Sequence, residues 1–222
     1  MTDDIELLPA GRPEQLMVLL HGRGQDAAAM LPLARALRRE FAHAALLLPQ
    51  DLLPADGPAE DLVARVAAAL PRLLRWVRDA QQRLGATPQS TALVGFGEGA
   101  TMALEAASAD DGIAGRVIAF GGGYAALPAQ APALTTLHFL HGEADALHPV
   151  AEARRTLEHL GVLHGDATLD IARGVGHEVH PALVDCAIHR LTHHIPHRTW
   201  REALGALPAA AAGGCRDDGV TD

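Results

Sequence analysis

Leu93-Val94-Gly95-Phe96-Gly97-Glu98-Gly99-Ala100 is the stretch whose reading decides the fold. Thr91-Ala92-Leu93-Val94 is an apolar run of the kind that forms a strand buried on both faces. Gly95, Gly97 and Gly99 then permit a sharp turn with unusual backbone angles. From Glu98 onward, Ala100, Met102, Ala103, Leu104, Glu105, Ala106 and Ala107 are good helix formers. The segment therefore reads as a strand, a tight turn and the start of a helix.

The same alternation extends in both directions. Further strands are expected at Gln15–Leu20, Ala44–Leu48, Thr91–Gly95, Gly115–Phe120, Thr135–Leu140 and Ala167–Ala172. Between them lie helical patterns at Pro32–Phe41, Pro58–Leu84, Glu98–Ala109, Pro149–Leu160 and Pro181–His194. Pro71 falls inside the longest of these and is expected to kink or divide it. Strands alternating with helices predict a single α/β domain with a mostly parallel central sheet flanked by helices. Residues 1–14 read as a lead-in, 15–206 as the domain, and 207–222 as a disordered tail rich in Ala and Gly.

Composition narrows the classes of function. The chain has 222 residues, 49% of them hydrophobic, enough for one large core. A net charge of −9 lacks the basic footprint of a nucleic-acid binder. No apolar run reaches the roughly 18 residues of a membrane span. Met1-Thr2-Asp3-Asp4-Ile5-Glu6 is acidic and has no apolar core, so a secretory signal is not expected. The two cysteines, Cys186 and Cys215, make no disulfide framework, and the expected location is cytoplasmic.

Four segments after strands converge on one family. His21-Gly22-Arg23-Gly24-Gln25-Asp26 follows the first strand, and Gly95-Phe96-Gly97-Glu98-Gly99 follows the third. His141-Gly142-Glu143-Ala144-Asp145 and Gly176-His177 follow late strands. The turn matches the G-x-S-x-G nucleophile elbow of α/β hydrolases with glycine in place of serine, and the order nucleophile, acid, histidine is theirs. The chain resembles the carboxylesterase/phospholipase family of small serine esterases, within it a bacterial branch of the YpfH type. The resemblance runs from about Gln15 to Leu204. It is strongest in Ala92–Leu104, Val117–Phe120 and Thr168–Pro196, including Thr168-Leu169-Asp170-Ile171 and Ile195-Pro196.

The resemblance implies an α/β hydrolase fold, hydrolysis of carboxylic esters and no cofactor. It assigns Asp145 as the triad acid, His177 as the general base and Gly97 as the nucleophile position. The backbone amides of Arg23 and Glu98 would form the oxyanion hole, with His21 and Gly22 bordering the substrate. The sequence departs from the family at Gly97 and after the second strand. There Gln50–Glu60 leads into a helix by a connection shorter by roughly a dozen residues than is usual.

Nothing else replaces the missing hydroxyl by position. Ser90 and Ser108 are the only serines; one precedes the strand leading to the turn, the other lies far along the following helix. Thr101 is expected to pack, and Cys186 and Cys215 lie elsewhere. Glu98 as a carboxylate nucleophile is disfavoured, because that residue contributes its backbone and its side chain is expected to point elsewhere. A water molecule activated by His177 and oriented through Asp145 would hydrolyse an ester directly.

Other readings of these residues are weaker. Gly95 and Gly97 followed by Ala100 break the G-x-G-x-x-G spacing of a phosphate loop. His189 and His193, spaced i, i+4 near His194 and His197, have zinc-like spacing. No acidic or cysteine partner is evident beside them, and no metal is expected. Three readings stay open: an esterase-family protein with impaired acyl-enzyme chemistry, a non-catalytic binding module, or an enzyme whose serine has been exchanged. The expected partner is a small ester or acyl ligand. The oligomeric state is not assigned.

Overall fold

The computed structural model describes residues 4–52 and 62–199. Its centre is a seven-stranded sheet of β1 (Ile5–Leu7), β2 (Gln15–Leu20), β3 (Ala44–Leu48), β4 (Thr91–Phe96), β5 (Arg116–Phe120), β6 (Thr136–Gly142) and β7 (Ala167–Ala172). Their spatial order is β1-β3-β2-β4-β5-β6-β7, parallel except for β1 against β3. The mostly parallel sheet expected from the sequence is the one formed.

The helices are α1 (Leu31–Glu40), α2 (Leu62–Leu84), α3 (Glu98–Ala109), α4 (Val150–Val162) and α5 (Pro181–His193). They cover both faces. On β2, Leu16, Val18 and Leu20 pack with α2, α3 and α4, while Met17 and Leu19 pack with α1 and α5. That division follows from the two-residue period of a strand. Strand order reverses between β2 and β4, so the loops leaving them diverge and open a crevice at the strands' carboxyl ends.

Two expectations are corrected. The stretch read as a lead-in contains β1, whose Ile5 pairs with Leu48. Three residues carry too little periodicity to announce a strand. β1 is held by partners distant in sequence: Arg83 bonds Glu6, and Arg38 donates to the Leu7 carbonyl. Nor does Pro71 divide α2, which runs unbroken from Leu62 to Leu84. Pro71 is on the exposed side, while Val66, Ala69, Leu73, Val77 and Ala80 form one buried face through it. Packing of that face offsets a cost of about 3 kcal/mol for an interior proline. The expected start of this helix at Pro58 and the expected disordered tail lie outside the described residues, as does most of the short Gln50–Glu60 connection.

Candidate active site

The turn after β4 is shaped by the three glycines, each for a different reason. A Cβ on Gly95 would come within 2.3 Å of the Gly99 backbone, and one on Gly99 within 2.2 Å of the Leu20 carbonyl oxygen. Both are therefore required for close packing of α3 on the sheet. Gly97 is different. Its φ of 54° and ψ of −117° suit glycine, yet the nearest atom to a Cβ there is His177 Nε2 at 3.4 Å. Space for a side chain exists; only the backbone conformation favours glycine. The Gly97 amide donates to the Phe120 carbonyl at 2.9 Å, fixing the turn to β5.

Asp145 and His177 reach this turn from the loops after β6 and β7. The Nδ1 of His177 lies 2.8 Å from Oδ2 of Asp145. With a carboxylate at that distance Nδ1 carries the proton, leaving the Nε2 lone pair toward Gly97. The other Asp145 oxygen accepts from the amides of Leu147 and His148, each at 2.9 Å. Burial alone would raise the Asp145 carboxyl. The His148 amide, the His177 ring and the Leu147 amide outweigh it and hold the group below its ordinary value. The carboxylate is thus ionised and fully supplied with donors. Phe96 packs beside the imidazole, ring centroids 4.6 Å apart.

The loop after β2 forms the opposite wall. Gly22 donates to Gln25 Oε1 at 3.0 Å, and Gln25 donates its own amide back to the Gly22 carbonyl at 3.2 Å. His21 is buried and places its ring nitrogens 3.0 Å from the Gly22 carbonyl and 3.1 Å from that of Gln50. It holds the loop rather than facing the cavity. Arg23 is exposed at the cavity mouth. Glu98 begins α3, so its amide is among those without an intrahelical partner and lies at the positive end of the helix.

A cavity of about 610 Å³ joins these parts, bounded by Arg23, Gly97, Glu98, His148 and His177, with Leu62 of α2 opposite. The Glu98 carboxylate forms an ion pair with Arg65, and both side chains are largely buried. This occupies the carboxylate and leaves it poorly suited to attack. Thr101 is buried in the same wall. Ser90 is engaged with Thr87, and Ser108 donates to the Tyr124 hydroxyl at 3.2 Å. Burial raises the Cys186 thiol, favouring its neutral form. Cys215 lies outside the described residues.

Arg65 and His148 were not singled out from the sequence. His148 follows Asp145 by three residues, and its role in donating an amide to that carboxylate carries no compositional signal. Arg65 meets Glu98 because the first turn of α2 borders the cavity. The view that the terminal histidines lack an acidic neighbour is also corrected. Asp166 Oδ1 lies 3.2 Å from His194 Nε2, and Asp166 also accepts from the His197 amide at 3.0 Å. His189 and His193 stack on one another. Among the described residues no group of three or more His, Cys, Asp or Glu side chains is placed to hold a metal ion.

The arrangement offers a directed base beside a helix start and a cavity, with no hydroxyl at the turn. Comparison with known proteins gives it a context. The Phospholipase/Carboxylesterase family profile matches residues 51–195. Esterase YpfH of Escherichia coli (strain K12) is 35% identical over 203 residues, spanning 86% of this chain and 88% of that protein. The crystal structure of esterase PE8 superposes with a TM-score of 0.76 at 27% identity, covering 85% of this chain and 97% of that one. The Bacillus cereus carboxylesterase gives a TM-score of 0.67 at 16% identity over 84% and 91% of the chains, a likeness of fold. The fold is that of the α/β hydrolases. Among the described residues no helix is long and apolar enough to cross a membrane.

Proposed function

Because the chain belongs to the phospholipase/carboxylesterase family, we propose that its site receives carboxylic esters and has lost the serine acyl-enzyme route at Gly97. The observation carrying this reading is where a Cβ on Gly97 would stand. A side chain there would project to within 3.4 Å of the His177 Nε2 that would have deprotonated it. His177 keeps its carboxylate partner and tautomer, so the base is intact while its substrate hydroxyl is gone.

In this reading the ester carbonyl lies in the cavity with its oxygen toward the Arg23 and Glu98 amides, which stabilise developing negative charge. Water takes the volume of the missing CH₂OH. His177 Nε2 accepts a proton from it as its oxygen attacks the carbonyl carbon. Collapse of the tetrahedral species breaks the bond to the alkoxide, which leaves with the proton from Nε2, and a carboxylic acid remains. Loss of a serine nucleophile costs about 10⁶ in turnover in proteases, while the oxyanion hole and binding retain about 10³–10⁴ over water. Slow hydrolysis is therefore the expected activity.

A second reading is a binding module that retains the pocket without turnover. Glycine at φ 54° favours it, since a serine there would carry strain that a non-catalytic chain has no reason to keep. Assay of p-nitrophenyl acetate with the chain and with His177→Ala separates the two. Slow turnover lost in the variant supports water activation. Identical background rates, with ester binding still detectable by titration, support the binding module.

A further inference from the structure

Among the described residues, more than one cavity is lined by His177. Besides the first, a groove of about 500 Å³ runs between α1 and α5, walled by Met30, Leu33, Ala36, Val179, Pro181 and Val184. Gln25, Phe96 and His177 line both spaces and form the ridge between them. We infer that this groove binds a neutral alkyl chain on the alcohol side of the ester. The inference rests on the esterase reading above and adds the class of ligand.

The assignment of sides follows from which groups line which space. Gly97, Arg23 and Glu98 border the first cavity, so the carbonyl belongs there. His177 must lie next to the leaving oxygen to return the proton. Its ring belongs to both walls, so the substituent beyond that oxygen is the part that passes over the ridge. Met30, Leu33, Ala36, Val179, Pro181 and Val184 give the groove an apolar wall suited to an alkyl chain. Arg39, Glu178 and Asp185 also line the groove and together carry a net charge of −1, which disfavours an anionic tail. From Leu33 to Arg39 the groove follows α1 for six residues, about 9 Å of helix rise. That length accommodates an extended hexyl chain.

Hexyl acetate and methyl heptanoate test this, being isomers of equal apolar content with the chain on opposite sides of the ester. Each is titrated against the full chain by ligand-observed NMR. Hexyl acetate should bind at least about tenfold more tightly, the equivalent of about two more buried methylenes at roughly fourfold each. Ala36→Trp, which fills the groove from α1, should weaken hexyl acetate by about tenfold and leave methyl heptanoate within about twofold. Pro181→Trp narrows it from the other wall, at an exposed position, and should do the same if Ala36→Trp does not fold. Equal affinities, or variants that weaken both esters alike, overturn the assignment. Hydrolysis of p-nitrophenyl acetate by Gly97→Ser keeps the two failures apart. If that variant is active but the isomers are not distinguished, the groove assignment alone falls. If it is inert and neither ester binds, the esterase reading falls with it.

Discussion

Gly97 and His177 face each other across the space of one missing side chain: a Cβ on Gly97 would stand 3.4 Å from His177 Nε2. The neighbouring glycines admit no such addition. The turn is therefore permissive at the one position where a nucleophile would act, and closed on either side of it. In the proposed reading the change is local to one residue's chemistry and leaves the packing of α3 on β2 and β4 untouched.

Stability measurements should separate these roles. Gly97→Ser places a non-glycine residue at positive φ and should cost about 1 kcal/mol, within the usual range for such strain. Gly99→Ala, whose Cβ would meet the Leu20 carbonyl at 2.2 Å, should cost more than about 3 kcal/mol. Urea unfolding of both variants checks the contrast. A Gly97→Ser chain more stable than the original would argue against the backbone conformation at the turn.

The Arg65–Glu98 pair gives a second prediction. Both side chains are largely buried, so removing one charge strands the other. Arg65→Ala should destabilise the chain by about 3 kcal/mol, and adding Glu98→Gln should recover much of that. Additive losses in the double variant would show that the two groups do not interact.

Acid sensitivity should trace in part to His138. It is fully buried on β6, with Nδ1 2.8 Å from the Thr168 hydroxyl. Burial, then the nearby His194, Arg116 and Arg190, push it down to about 3. The ring is neutral in the folded chain, whereas the unfolded chain protonates it near its ordinary value of about 6.5. Its contribution is complete above that pH and is lost as pH falls toward the folded value, at up to roughly 1.4 kcal/mol per pH unit. His138→Leu should flatten the fall in Tm between neutral pH and mild acid. An unchanged slope would contradict the assignment.

β4, the turn and α3 were legible because an apolar run, spaced glycines and helix formers are all local signals. So were the strands that place Asp145 and His177 at one end of the sheet. β1 was not, because three residues gain their identity only from pairing with β3. Pro71 misled because a local penalty was weighed without the continuous buried face of α2. Arg65 reaches Glu98 across 33 positions by the path of a helix, and no periodic pattern reports such a meeting. His138 and His194 are an adjacent pair for the same reason: strand β6 and the end of α5 bring them together.

The most direct test of the account is the hydrolysis of p-nitrophenyl acetate and butyrate by Gly97→Ser, beside the original chain and the Gly97→Ser/His177→Ala double variant. The serine should raise turnover by at least about 10³-fold, and removing His177 should abolish the gain. A folded Gly97→Ser chain that hydrolyses no faster than the original would contradict the claim that the base, its carboxylate and the carbonyl-binding amides remain in working order around a single absent hydroxyl.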